Sequence, residues 1–168
     1  MTAINQNQLA RWYDAYGNEL KLYALQWSPD QQAEDIVQDA FIKLLKQRRP
    51  PNNVRAWLFR VVRNTSISKL RFWRQRQKAD EKFLQQNVIW FESSPDDLID
   101  ARLAQKILQT LPSNLREIVM LRIWGQMSLK EIAGITGKSI PWIHKEYKEA
   151  LEMIRKELEH SSCIKKKT

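Results

Sequence analysis

The sequence predicts an all-α protein made of two small helical domains joined by a linker, the second of them a helix-turn-helix domain. Three observations carry this prediction. Glycine and proline are scarce, four and six in 168 residues, so few positions interrupt regular helix. Apolar residues recur at three- and four-residue intervals, and no stretch shows the period of two expected of a half-buried strand. Charge also divides the chain, with 15 basic and 8 acidic residues in the first ninety positions against 13 and 11 in the rest.

An apolar content of 43% allows a buried core, and a net charge of +9 suits an anionic partner, nucleic acid or an acidic membrane surface. No apolar run approaches the ~20 residues needed to cross a bilayer, and residues 1–8 are polar without a signal-peptide pattern, so a cytoplasmic protein with no membrane insertion is expected. The single cysteine, Cys163, is expected as an unpaired thiol. His144 has no Cys or carboxylate array beside it, and no Asp, Glu and His cluster stands at metal-binding spacing. No catalytic residue, metal or cofactor is therefore expected, and a nuclease is disfavoured.

In residues 8–27, Leu9, Trp12, Tyr13, Tyr16, Leu20, Tyr23, Ala24 and Trp27 share one helical face, which Gly17 could divide into two helices. Ser28, Pro29 and Asp30 offer an N-cap and a first-turn proline for a helix to about Lys46, with Ile36, Val37, Ala40, Phe41, Leu44 and Leu45 inward. Its other face carries Glu34, Asp35, Gln38 and Asp39. Spacing favours a solvated face, with Asp39 and Lys43 as an i,i+4 pair, over a dock for a basic partner helix.

Residues 47–54 read as a loop because of Pro50, Pro51, Asn52 and Asn53. A third helix follows from Arg55 to at least Arg71, with a core stripe of Trp57, Leu58, Val61, Val62, Thr65, Ile67 and Leu70. Arg60, Arg63, Asn64, Lys69, Arg71 and Arg74 are left for water or phosphate. Between Lys43 and Lys82 there are 13 basic residues and two acidic ones, interleaved with Trp57, Phe59, Phe72 and Trp73. Cations with aromatic faces suit melted or single-stranded nucleic acid.

The Ser-Ser-Pro break and acidic run near residue 95 place a linker at residues 79–96, between domains at 1–78 and 97–160, with a basic tail at 161–168. Inside the linker, Val88, Ile89, Trp90 and Phe91 form an apolar cluster expected to pack back on the first domain. A helix over residues 98–111 ends at Pro112, and another spans about 114–124. Ser128 with Glu131 forms a capping box, Ala133 and Gly134 allow close helix crossing, and Gly137 can end the short helix in the left-handed region. Ser139 caps the next helix, with Pro141 in its first turn and Ile140, Ile143, Tyr147, Ala150, Leu151, Ile154 and Leu158 as its buried stripe. The pair reads as helix-turn-helix, which would present Lys138, Trp142, His144, Lys145 and Lys148 to the major groove. Glu146 is expected beside them on the solvent side.

Residues 33–45 (AEDIVQDAFIKLL), 54–71 (VRAWLFRVVRNTSISKLR) and 111–139 (LPSNLREIVMLRIWGQMSLKEIAGITGKS), with the helix after them, resemble conserved regions two and four of extracytoplasmic-function sigma factors, in order and at about the right spacing. The resemblance implies an alternative sigma factor whose first domain binds the clamp helices of the largest subunit of core RNA polymerase and opens the minus-ten element, while its second reads the minus-35 element. Promoter DNA is then a partner, and an anti-sigma factor that holds the free protein inactive is another. Carried onto this sequence, it makes Asp35, Gln38, Asp39 and Ile42 polymerase contacts, against the reading from spacing. Arg48, Arg49, Asn52, Asn53, Trp57, Arg60, Arg63, Asn64, Lys69 and Arg71 become the minus-ten surface, with the 47–54 loop holding a flipped base. Lys138, Ser139, Trp142, His144, Lys145 and Lys148 become the minus-35 surface. The 47–54 loop is short for the family and carries two prolines. Glu146, Glu149 and Leu151 stand where the family usually has basic or polar residues, which predicts weaker phosphate attraction. The rival reading is a stand-alone helix-turn-helix regulator, which would need neither a melted-strand surface nor an acidic docking helix.

Overall fold

The computed structural model describes residues 4–77 and 98–165, and its described residues hold helices and no strand. The helices are α1 (Gln6–Ala24), α2 (Asp30–Leu45), α3 (Val54–Gln77), α4 (Leu98–Thr110), α5 (Ser113–Ile123), α6 (Leu129–Thr136) and α7 (Ile140–Lys165). They fall into two compact units, α1–α3 and α4–α7. The expected linker, with its cluster Val88 to Phe91, lies outside the described residues.

In the first unit the three helices pack mutually. Asn5 and Gln8 form a reciprocal capping box at the start of α1, satisfying amides the helix cannot pair itself. The helix runs unbroken through Gly17, where an added Cβ would meet only the Tyr13 ring at 3.6 Å. The core is Leu20, Tyr23 and Ala24 of α1, Ala33, Ile36, Val37, Ala40, Phe41 and Leu44 of α2, and Leu58, Phe59 and Val62 of α3. Phe59, read as an interleaved aromatic, is a core residue, its ring 5.1 Å from that of Tyr23. It lies between Leu58 and Val62 on the packed side, so burial claims it before nucleic acid can.

Three other expectations are corrected here. Pro29 occupies the N-cap position of α2 instead of its first turn, and Ser28 is buried. Leu45 is 47% exposed, because the last turn of α2 rotates it away from Leu44. Lys43 turns to α3 and donates to Thr65 Oγ1 at 3.2 Å, and no Asp39–Lys43 ion pair forms among the described residues. Arg55 anchors the start of α3 to α1 by donating to Glu19 at 2.6 Å and lying over the Tyr16 ring.

The second unit packs α5 and α6 against α7, with α4 also on α7. Its core comprises Ile107 and Leu108 of α4, Leu111, Leu115, Ile118, Val119, Met120 and Leu121, Met127, Ile132, Ala133 and Ile135, and Ile143 and Ala150 of α7. Arg116 closes the end of α4, donating to the carbonyl oxygens of Leu108 at 2.8 Å, Leu111 at 3.0 Å and Gln109 at 3.3 Å. Burial lowers the Arg116 pKa from the ordinary guanidinium range. Between α5 and α6, Arg122 donates to Met127 O at 2.7 Å. The stripe expected on α7 is narrower than the sequence suggested. Ile143 and Ala150 are buried and Tyr147 and Ile154 half-buried, whereas Ile140, Leu151 and Leu158 are exposed because the short α5 and α6 cover only one side of a long helix.

Candidate nucleic-acid interface

The helix-turn-helix forms as its local chemistry dictates. Ser128 Oγ accepts from Glu131 N while the Glu131 carboxylate accepts from Ser128 N, so two amides at the start of α6 are satisfied. Gly137 ends α6 at φ +73 in the left-handed region. Ser139 Oγ then accepts from Trp142 N at 3.3 Å and starts α7. Ser139 is thereby a capping residue, with its hydroxyl turned to the helix backbone.

The exposed side of α7 begins at this cap. Lys138, His144, Lys145 and Lys148 are exposed and Trp142 half-buried. Lys138 Nζ lies 5.3 Å from the centre of the Trp142 ring, a cation–π contact that holds both at the leading tip of the helix. Glu146 departs from expectation. It is 9% exposed, on the side of Ile143 and Ala150, and its carboxylate accepts from Asn114 Nδ2 at 2.6 Å. The solvent-side position expected for it is wrong: Glu146 belongs to the packing between α7 and α5. Asn114, itself exposed, and the half-buried Arg116 hold α7 and α4 respectively; the sequence gives no local signal for either contact.

In the first unit, Arg48, Arg49 and Asn52 are exposed in the loop before α3. Asn53 is committed in part, because its Oδ1 accepts from Ala56 N at 2.9 Å and starts α3. Helical spacing brings Trp57, Arg60, Asn64 and Arg71 to one side of α3, with Arg63 at its edge. Lys69 is not brought to them. It is half-buried on the side of Leu58, Val62 and Ser66. Near the end of α3, Arg76 stacks over the exposed Phe72 ring at 4.5 Å.

A separate surface lies on α2. Asp35, Gln38, Asp39 and Ile42 recur at i, i+3, i+4 and i+7 and are all exposed, with Ile42 at 50%. Lys21 pairs with Asp30 at 3.1 Å and with Glu34 at 3.8 Å, whereas Asp35 and Asp39 make no ion pair among the described residues. Among the described residues no His, Cys, Asp and Glu group could hold a metal ion, and no described helix is long and apolar enough to cross a membrane.

Against known proteins, residues 12–78 match the family model for sigma-70 region 2 and residues 101–154 the model for sigma-70 region 4. An RNA polymerase sigma-E factor of Streptomyces avermitilis is 30% identical over 130 residues, 76% of this chain and 71% of that protein. An RNA polymerase sigma-H factor of Pseudomonas aeruginosa is 30% identical over 145 residues, 77% of this chain and 74% of its own. Among solved structures, the sigma factor RpoE of Bartonella quintana, in complex with the anti-sigma factor NepR, superposes with a TM-score of 0.74 at 22% identity, covering 91% of this chain and 98% of that one. CnrH in complex with the cytosolic domain of CnrY gives 0.64 at 22% identity, covering 93% and 90%. At that identity the two structures speak for the fold.

Proposed function

Because this chain belongs to the sigma-70 family of RNA polymerase sigma factors, as an alternative sigma factor of the extracytoplasmic-function type, we propose that α2 docks on core polymerase, α3 opens the minus-ten element and α7 reads the minus-35 element. The observation that carries the docking assignment is the outer face of α2. In a protein of net charge +9, Asp35 and Asp39 make no ion pair among the described residues and lie beside an exposed Ile42, while Asp30 and Glu34 are engaged with Lys21. An apolar residue bordered by acidic groups fits a basic amphipathic partner such as the clamp helices of the largest subunit.

On this reading the minus-ten strand meets Arg48, Arg49, Asn52, Trp57, Arg60, Arg63, Asn64 and Arg71, with Asn53 and Lys69 in supporting positions. Lys138, Trp142, His144, Lys145 and Lys148 face the minus-35 duplex and Ser139 caps the helix that carries them. The functional domains are 1–78 and 97–160, with a linker at 79–96 and a basic tail at 161–168. The protein carries no catalysis of its own, works in the cytoplasm with polymerase, and has an anti-sigma factor as a further partner, as the RpoE sigma factor of Bartonella quintana has in NepR. A stand-alone helix-turn-helix regulator would leave the region 2 unit without a role.

The test is co-purification with core polymerase followed by run-off transcription. Asp35→Lys with Asp39→Lys is expected to abolish polymerase binding with the helical circular-dichroism signal intact; unchanged co-purification refutes the docking face. Arg63→Ala and Asn64→Ala are expected to keep polymerase binding but lose promoter opening in permanganate footprints, and wild-type opening by both refutes the minus-ten assignment.

A further inference from the structure

From the contact between α7 and α5 we infer that Glu146 is a positioning residue, whose hydrogen bond from Asn114 sets the roll of the recognition helix so that Trp142 and Lys145 meet the base edges. The inference rests on the proposed reading of α7 as the minus-35 reader, and adds to it a residue that would otherwise count as a charge repelling DNA.

The apolar residues of α7 that pack inward, Ile143 and Ala150 buried with Tyr147 and Ile154 half-buried, fix how closely it approaches its neighbours but are non-directional. Such contacts set the roll of the helix only to within the give of their side chains. The Glu146 contact is directional. A carboxylate can only accept, so the Asn114 amide must present its NH₂ group, and at 2.6 Å the bond is short enough to be charge-assisted. With an outer helix radius of ~5–6 Å, a roll of ~20° would carry side-chain tips ~2 Å, enough to break a base-edge hydrogen bond. Arg116, two residues after Asn114, is bonded to three carbonyls at the end of α4, so the anchor for Glu146 sits on a fixed turn. Glu146 is one turn beyond Trp142 and next to Lys145, close enough for its tether to govern the tip that reads DNA.

The experiment uses the full chain and two probes: a duplex enriched by the wild-type protein from a randomised library, and a scrambled duplex of equal length and composition. Binding is measured by fluorescence anisotropy over a range of salt, well below the melting temperature of each variant. Glu146→Gln retains an acceptor and is expected to keep the wild-type ratio of enriched to scrambled affinity. Glu146→Ala and Asn114→Ala are each expected to lower that ratio roughly tenfold, the double variant no further than either single, with the log-affinity against log-salt slope unchanged. If Glu146→Gln and Glu146→Ala instead both tighten binding to the two duplexes and steepen the salt slope, Glu146 acts as a repelling charge and the inference fails. It also fails if the alanine variants merely melt earlier and keep the ratio. Failure of the underlying reading looks different: the wild-type chain then enriches no duplex, or Lys145→Ala leaves affinity for every duplex unchanged.

Discussion

Ser66 is fully buried in α3 and its hydroxyl has no hydrogen-bond partner among the described residues. A buried unpaired hydroxyl costs about 1–3 kcal/mol, and alanine is also the better helix former. Ser66→Ala is therefore expected to stabilise the protein by ~1 kcal/mol and raise the melting temperature by roughly 4 °C, checked by thermal circular dichroism. Arg116 is the opposite case. Its guanidinium satisfies carbonyls of Leu108, Gln109 and Leu111, so Arg116→Ala leaves three acceptors short and should destabilise the protein by about 2 kcal/mol, read from denaturant midpoints. The position of Glu146 was legible in principle, since it stands at i+3 from Ile143 and four before Ala150. The weight given to its charge put it outside. That its partner would be Asn114, 32 residues away, depends on the crossing of α5 and α7, and no local pattern encodes that.

At the scale of elements, the sequence was most informative where local chemistry decides. The capping box of Ser128 and Glu131, the left-handed Gly137 and the Ser139 cap formed as read, because each involves residues three or four apart. The preceding turn was illegible. There Gln126, and not the neighbouring glycine, takes the left-handed backbone at φ 49. Gly125 serves close approach: a Cβ at that position would lie 2.6 Å from the Leu121 carbonyl oxygen. At Gly137 an added Cβ meets nothing within 4 Å, so only its backbone conformation resists substitution. Gly137→Ala should thus cost ~1 kcal/mol and Gly125→Ala clearly more, because a backbone oxygen cannot step aside. Paired melting curves of the two variants check this order.

For the whole molecule, the all-α class and the order of the helices followed from periodicity, whereas the width of each buried face did not. Leu45, Ile140, Leu151 and Leu158 fit their stripes by spacing yet stand exposed, since burial depends on the length of the neighbours that cover a helix. Each unit has its own apolar core, so fragments 1–78 and 97–168 are each expected to fold. Their summed circular-dichroism spectra should reproduce that of the intact chain, and a marked loss of helicity in either would overturn this. The length of α7 has a further consequence. Among its side chains described, up to Ser161, the last buried one is Ala150, and beyond it Met153, Ile154, Glu157 and Ser161 are only half-covered while the helix continues to Lys165. Unsupported helix is marginal in water, so amide protons of this one helix should span a gradient of deuterium exchange. Those through Ala150 would exchange only with opening of the whole unit, and those toward Lys165 by fraying, which makes α7 an internal gauge separating local from global opening.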